Sequence, residues 1–277
     1  MERRGFLGVL ATAVAAGLNA GCGSGEGAQP TGMPSGSATG NASSPASPSP
    51  SPSPSPSATR MFGSPTGITK VPLPKGTIYK LPGEGNLVAI TVDDGTDESV
   101  VAAYAHLAER TGMRLTFFAN GNMPSWTKHA PLLRPLVDQG QALICNHTWS
   151  HPDLTKLSAE QVADQVTRNE TFLKNTYGTL GRPFLRPPFG YRNARLNAQL
   201  ADLGYPVVTM WEGSFSDSGV LPPEVILDNA KQWIGPQRLV IGHANHPPVI
   251  EVMDQIVQVI KDKGLTPVHL GDVYAVS

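Results

Sequence analysis

The stretch Leu87–Gly112, LVAITVDDGTDESVVAAYAHLAERTG, decides the fold. Its first six residues form a continuous apolar run, as expected of a strand covered on both faces. The residues after Thr96 carry apolar side chains at helical spacing and stop at a glycine. Asp97 and Glu98 fall where a helix N-terminus takes acidic side chains. Strand, acidic turn and helix make one βα unit.

The same alternation continues to the C-terminus. Strands are expected at RLTFF, ALIC, FLR, PVVTMW, RLVIGH and TPVHL. Helices are expected at HAPLLRPLVDQG, SAEQVADQVTRNETFLKNTYG, NARLNAQLADLG, PPEVILDNAKQWIG and PPVIEVMDQIVQVIKDKG. Ser158 with Gln161 is a capping box opening the second of these. Seven strands alternating with helices imply a parallel α/β sheet, either a barrel or a doubly wound sheet. Periodicity does not choose between the two.

The polar residues that interrupt this pattern fall at strand ends. Asp93 and Asp94 follow the first strand, His147 follows ALIC, Arg186 ends FLR and His243 ends RLVIGH. In parallel architectures the C-terminal edge of the strands is where sites are built. The segment NHTWSHPDL adds His151, four residues after His147. Two histidines and one carboxylate make a three-ligand metal set with positions left for water and substrate, the pattern of a catalytic metal. Such a metal brings the pKa of its water down towards about 7. Adjacent aspartates in a strand point differently, so one can bind metal while the other acts as a base. Arg186 can pair with that base, and His243 can protonate a leaving group.

In order, TVDDG, HTWSH, RPPFG and IGH resemble the motifs of the polysaccharide deacetylases, carbohydrate esterase family 4. The resemblance runs from about Leu87 to the C-terminus. It implies a distorted barrel of seven or eight βα units, here a (β/α)7-type barrel. It also implies one divalent metal, zinc first, with cobalt, nickel or manganese as alternatives. Residue by residue, it makes Asp93 the base and Asp94, His147 and His151 the metal ligands. Arg186 would hold Asp93, and the Phe189 N–H would help bind the oxyanion. His243 would be the acid, oriented by Asp217, and Ile241 would line the pocket. The chain departs from the family at Ser218, where a tryptophan usually walls the acetyl pocket. It departs again at Ile241, usually leucine, and at Cys145, usually glycine.

Other residues have plainer readings. His106, His129 and His269 are expected to be structural, and His246 to lie on a loop surface. Cys145 is expected to be a small buried hydrophobe. Trp126 and Trp149 are expected on cleft loops, stacking on sugars, and Trp233 on a helix packing face.

The chain has 277 residues and a formal charge of −1, which argues against a nucleic-acid footprint. The N-terminal part has a different composition. Residues 1–22 combine Arg3 and Arg4, an apolar run and Cys22, the pattern of an export signal. RRGFLG resembles a twin-arginine signal and NAGC a lipobox, with Asn19 standing where leucine is favoured. Residues 23–60 are rich in Pro, Ser and Gly and are expected to be a disordered linker. Residues 61–84 are a lead-in and 85–277 the catalytic domain. If Cys22 carries lipid, the only other cysteine, Cys145, has no partner.

The reading is therefore an exported, lipid-anchored or otherwise secreted, metal-dependent N-deacetylase of an envelope or extracellular polysaccharide such as peptidoglycan or chitin. O-acetyl ester hydrolysis at the same site, or carbohydrate binding on a weakened catalytic scaffold, are the alternatives.

Overall fold

The computed structural model describes residues 60–276. The export signal, the lipobox and all but the last residue of the linker lie outside the described residues. Among the described residues, nine strands form one parallel sheet, curled into an incomplete barrel. They are β1 (Gly76–Ile78), β2 (Leu87–Asp94), β3 (Leu115–Ala119), β4 (Ala142–Asn146), β5 (Phe184–Leu185), β6 (Val207–Thr209), β7 (Gly213–Ser214), β8 (Arg238–His243) and β9 (Thr266–Pro267). The order is β1-β6-β5-β4-β3-β2-β8-β7, with β9 paired to the first two residues of β2.

The helices are α1 (Glu98–Thr111), α2 (Pro124–Lys128), α3 (Ala130–Asp138), α4 (Ala159–Tyr177), α5 (Ala194–Asp202), α6 (Pro223–Trp233), α7 (Met253–Asp262) and α8 (Leu270–Val273). Their ends follow from local chemistry. Asp97 caps α1 by accepting from Ser99 and Val100 N–H. Ser158 and Gln161 form the capping box of α4, and Asn193 caps α5.

Two strands escape the sequence pattern. β1 lies in the stretch read as a lead-in and hydrogen-bonds β6. β7 has two residues, Gly213 and Ser214. Conversely, TPVHL contributes only a two-residue strand, and its last leucine opens α8.

Pleat alternation divides β2 between two layers. Val88, Ile90 and Val92 join the core beneath the helices with Phe117, Ile144 and Val240. Ala89 faces the inside of the curl with Ile78, Phe118, Cys145, Phe184, Val207 and Leu239. Both layers are buried, which explains the unbroken apolar run. Each fully buried aliphatic or phenyl side chain contributes roughly 1.5–3 kcal/mol of transfer free energy. Above the interior layer, the inward positions become polar: Thr91, Asp93 and Arg186. That change marks where the apolar core stops and the site begins.

Candidate active site

Asp93 and Asp94 end β2, and alternation should send them to opposite faces. Asp94 avoids this by leaving the extended region, with φ 70°. Its Oδ1 then lies 3.2 Å from His147 Nε2 and 3.3 Å from His151 Nε2, while Asp93 Oδ2 lies 3.6 Å from His147 Nε2. Thr148 and His151 also adopt positive φ, at 72° and 59°. Backbone strain of this kind costs about 1–3 kcal/mol per residue and persists only where the surroundings enforce it.

The surroundings are a buried amide network. Asn146 Oδ1 accepts from Thr148 N–H at 2.8 Å and from Asn169 Nδ2 at 2.9 Å. Asn120 Nδ2 donates to the His147 and Thr148 carbonyls, and Thr148 Oγ1 accepts from His151 N–H. Beneath Asp94, the Trp126 indole N–H donates to its carbonyl at 2.7 Å. Trp126 is fully buried, so it supports the site from below and does not stack on sugar. Trp149 also fails the cleft reading: it packs on Phe172 under Arg168, on the outer side of α4. Trp233 packs against the core as expected.

The ligand geometry suits a cation. His147 Nδ1 donates to the Arg186 carbonyl at 2.7 Å, so a neutral ring turns a bare Nε2 towards Asp94. Asp94 Oδ1 is buried and makes no conventional hydrogen bond, while Oδ2 accepts from Asn245 Nδ2 at 2.7 Å. Asp94, His147 and His151 are the group among the described residues that can converge on one ion, with donor atoms within 4.8 Å of one another. Burial lowers the His147 pKa, but the Asp93 and Asp94 carboxylates outweigh it and the net shift is upward. His151 moves down through burial and the His147 charge. Burial opposes ionisation of Asp94, yet its close contact with His147 and the nearby histidine charges hold its carboxyl well below the usual range. A divalent ion here would be held by Asp94 Oδ1 and the two Nε2 atoms.

Arg186 is wholly buried and held on every side. It donates to Asp93 Oδ1, to Thr91 Oγ1 at 2.9 Å, and to the Thr209 and Met210 carbonyls at 3.1 Å. Its guanidinium stacks 4.2 Å above the Phe118 ring. It supplies the countercharge for Asp93; losing one partner of such a buried pair costs about 3–5 kcal/mol.

His243 closes β8 on the opposite side. Its Nδ1 and backbone N–H both donate to Asp217, at 2.9 and 3.1 Å. Burial lowers the imidazole pKa, but Asp217 reverses the sign and raises it. Nε2 is left as the free ring nitrogen.

A cleft of about 580 Å³ joins these groups. Asp93, Asp94, His147, His151 and His243 line it, as do Phe189, Ile241 and Ser218. Arg186 and Asp217 stand behind it. Asn120, Trp211 and Asn245 also line it, and the motifs do not single them out. Asn120 follows β3 and Asn245 lies two residues past His243, so strand-end position is the one signal the sequence holds for them. His246 is half-buried and outside the lining. Cys145 is buried in the interior layer, where burial pushes its thiol well up in pKa.

A curled parallel sheet bearing a His-His-Asp set beside an arginine-held aspartate is the arrangement that the motif resemblance implies. The polysaccharide deacetylase family model matches residues 80–208. A chitin deacetylase from Pestalotiopsis sp is 31% identical over 205 residues, covering 72% of this chain and 67% of that protein. The peptidoglycan-N-acetylmuramic acid deacetylase PdaC of Bacillus subtilis (strain 168) is 26% identical over 198 residues, covering 69% of this chain but only 40% of PdaC. A solved structure described as a CE4 family pseudoenzyme from Bacillus anthracis matches with a TM-score of 0.64 at 19% identity, covering 73% of this chain and 69% of its own. That last likeness is one of fold. The chain belongs to the polysaccharide deacetylase family.

Proposed function

We propose that the protein is a metal-dependent hydrolase that removes N-acetyl groups from an amino-sugar polysaccharide. The observation carrying this reading is the complete set around one cleft: three convergent ligands, an arginine-paired aspartate and an aspartate-oriented histidine. A carbohydrate-binding module has no use for all of them.

A divalent ion, zinc first, held by Asp94, His147 and His151 would polarise the acyl carbonyl and acidify water. Asp93 Oδ2 faces the cleft and accepts the proton of the attacking water. The resulting hydroxide bonds to the acyl carbon. The N–H of Phe189, in its left-handed turn (φ 59°), donates to the developing oxyanion. As the C–N bond breaks, protonated His243 gives its Nε2 proton to the departing amine. The products are acetate and a free amino sugar. Arg186 and Asp217 keep the base and the acid in place.

Peptidoglycan is the favoured substrate, on the further proposal that Cys22 is lipidated and the domain stands outside the membrane, next to wall glycan. Chitin-type oligomers share the reacting group. A panel of wall glycan, chitin oligomers and acetylxylan, assayed for acetate and free amine, tests the reaction. Acetate with free amine supports it; acetate from acetylxylan alone would favour the O-acetyl esterase reading. Release from membranes by Cys22→Ala tests the location.

A further inference from the structure

Three large aromatic side chains, Tyr79, Phe189 and Tyr191, are exposed beside the cleft, at 45, 57 and 54%. Sequence distance hides their proximity, because Tyr79 precedes Phe189 by more than a hundred residues. The sheet order explains it. β1 and β5 both neighbour β6, so the turns leaving β1 and β5 emerge on the same edge. Phe189 belongs to the cleft and packs 4.5 Å from the His151 ring. The Tyr191 ring lies 5.4 Å further on, inclined by 37°.

Arg192 clips the third ring to the other two. Its Nη1 donates to the Gly190 carbonyl at 3.1 Å and its Nη2 to the Tyr79 hydroxyl. The guanidinium also lies 5.4 Å from the centre of the Tyr79 ring. From below, a side chain at Gly190 would meet Met210 and Trp211, so the turn is seated on the cleft wall. The rings are therefore held in place while about half of each side chain stays exposed to solvent. Exposed aromatic surface of this size needs a reason. Rings with polar tips, continuous with a cleft, suit ligands that are apolar on one face and hydroxylated at the edge. Sugar rings have that character.

We propose that Phe189, Tyr191 and Tyr79 form a stacking platform for the sugars that flank the reacting residue of a polysaccharide chain. The platform rests on the deacetylase reading for its occupant but makes a separate prediction. It adds binding to long substrates only. A single acetylated sugar or a small aryl acetate fills the cleft without reaching Tyr191 or Tyr79.

The test compares the full-length protein with a Tyr79→Ser/Tyr191→Ser variant on N-acetylglucosamine oligomers of increasing length and on an aryl acetate. The platform predicts that kcat/KM rises with length in the parent, through KM. It predicts that the variant loses about tenfold on the longest oligomer and stays within about twofold on the aryl acetate. A Tyr79→Phe/Tyr191→Phe variant keeps both rings and should keep the length dependence, which separates stacking from a folding defect. An unchanged length dependence in the serine variant overturns the proposal. So does an unchanged length dependence together with a changed oligomeric state, which would make the patch a contact between copies. If the parent releases no acetate from any substrate, the deacetylase reading fails. Calorimetric binding of the longest oligomer then decides the platform: weaker binding by the serine variant supports it, and equal binding rejects it.

Discussion

Asp217 grips His243 at two points, with Oδ1 on the ring Nδ1–H at 2.9 Å and Oδ2 on the backbone N–H at 3.1 Å. The second contact fixes the residue, and the first fixes the tautomer. Burial alone would lower the His243 pKa; Asp217 raises it. An acid with a raised pKa stays protonated to higher pH, so the alkaline limb of activity should lie above the pH that an unperturbed imidazole would set. Asp217→Asn removes the charge and leaves the burial. The alkaline limb of kcat/KM should move to lower pH, and the maximal rate should fall by about 100-fold or more. An alkaline limb that does not move would separate His243 from the proton transfer.

The two aspartates of β2 should behave differently when changed. Asp94 Oδ1 points at both histidines, whereas Asp93 Oδ1 is taken by Arg186. Asp93→Asn should keep stoichiometric metal and lose turnover. His147→Ala should lose the metal itself. Elemental analysis of the two purified variants checks this, and full occupancy in His147→Ala would remove it from the ligand set.

Gly95, with φ 101°, lies directly against the Trp126 indole that supports Asp94. A methyl group there would overlap the indole and strain the backbone together. Gly95→Ala should destabilise by about 2–4 kcal/mol in denaturant unfolding. Gly140, with φ 65°, has open space where a methyl group would project, so a substitution there bears the backbone strain alone. Gly140→Ala should therefore cost less, about 1–2 kcal/mol. Equal losses at the two sites would contradict the supporting role of Trp126.

The site is legible in the sequence where function demands chemistry that packing does not. Charged residues at the ends of apolar strands have no structural excuse, so Asp93, Asp94, His147, Arg186 and His243 stand out. The ring of strands is legible where runs are long and buried on both faces, as in β2, β3, β4 and β8. It is illegible at β1 and β7, which are two or three residues long and show no period. Trp126 and Trp149 mislead because a tryptophan near a ligand loop reads the same whether it lies under the loop or on it. Only the fold shows Trp126 beneath Asp94 and Trp149 behind α4. Trp211 and Asn245 carry only the weak signal of lying at or just past a strand end, which packing residues share. The Tyr79–Arg192 contact depends on strand order, which the sequence does not state.

The most direct measurement follows free amine and acetate released from an N-acetylglucosamine oligomer by the full-length protein, before chelation, after it, and after a divalent metal is restored. The account predicts amine and acetate in equal amounts, loss of both on chelation, and recovery of both with metal. Acetate or amine release that continues unchanged in the fully metal-free protein would contradict it.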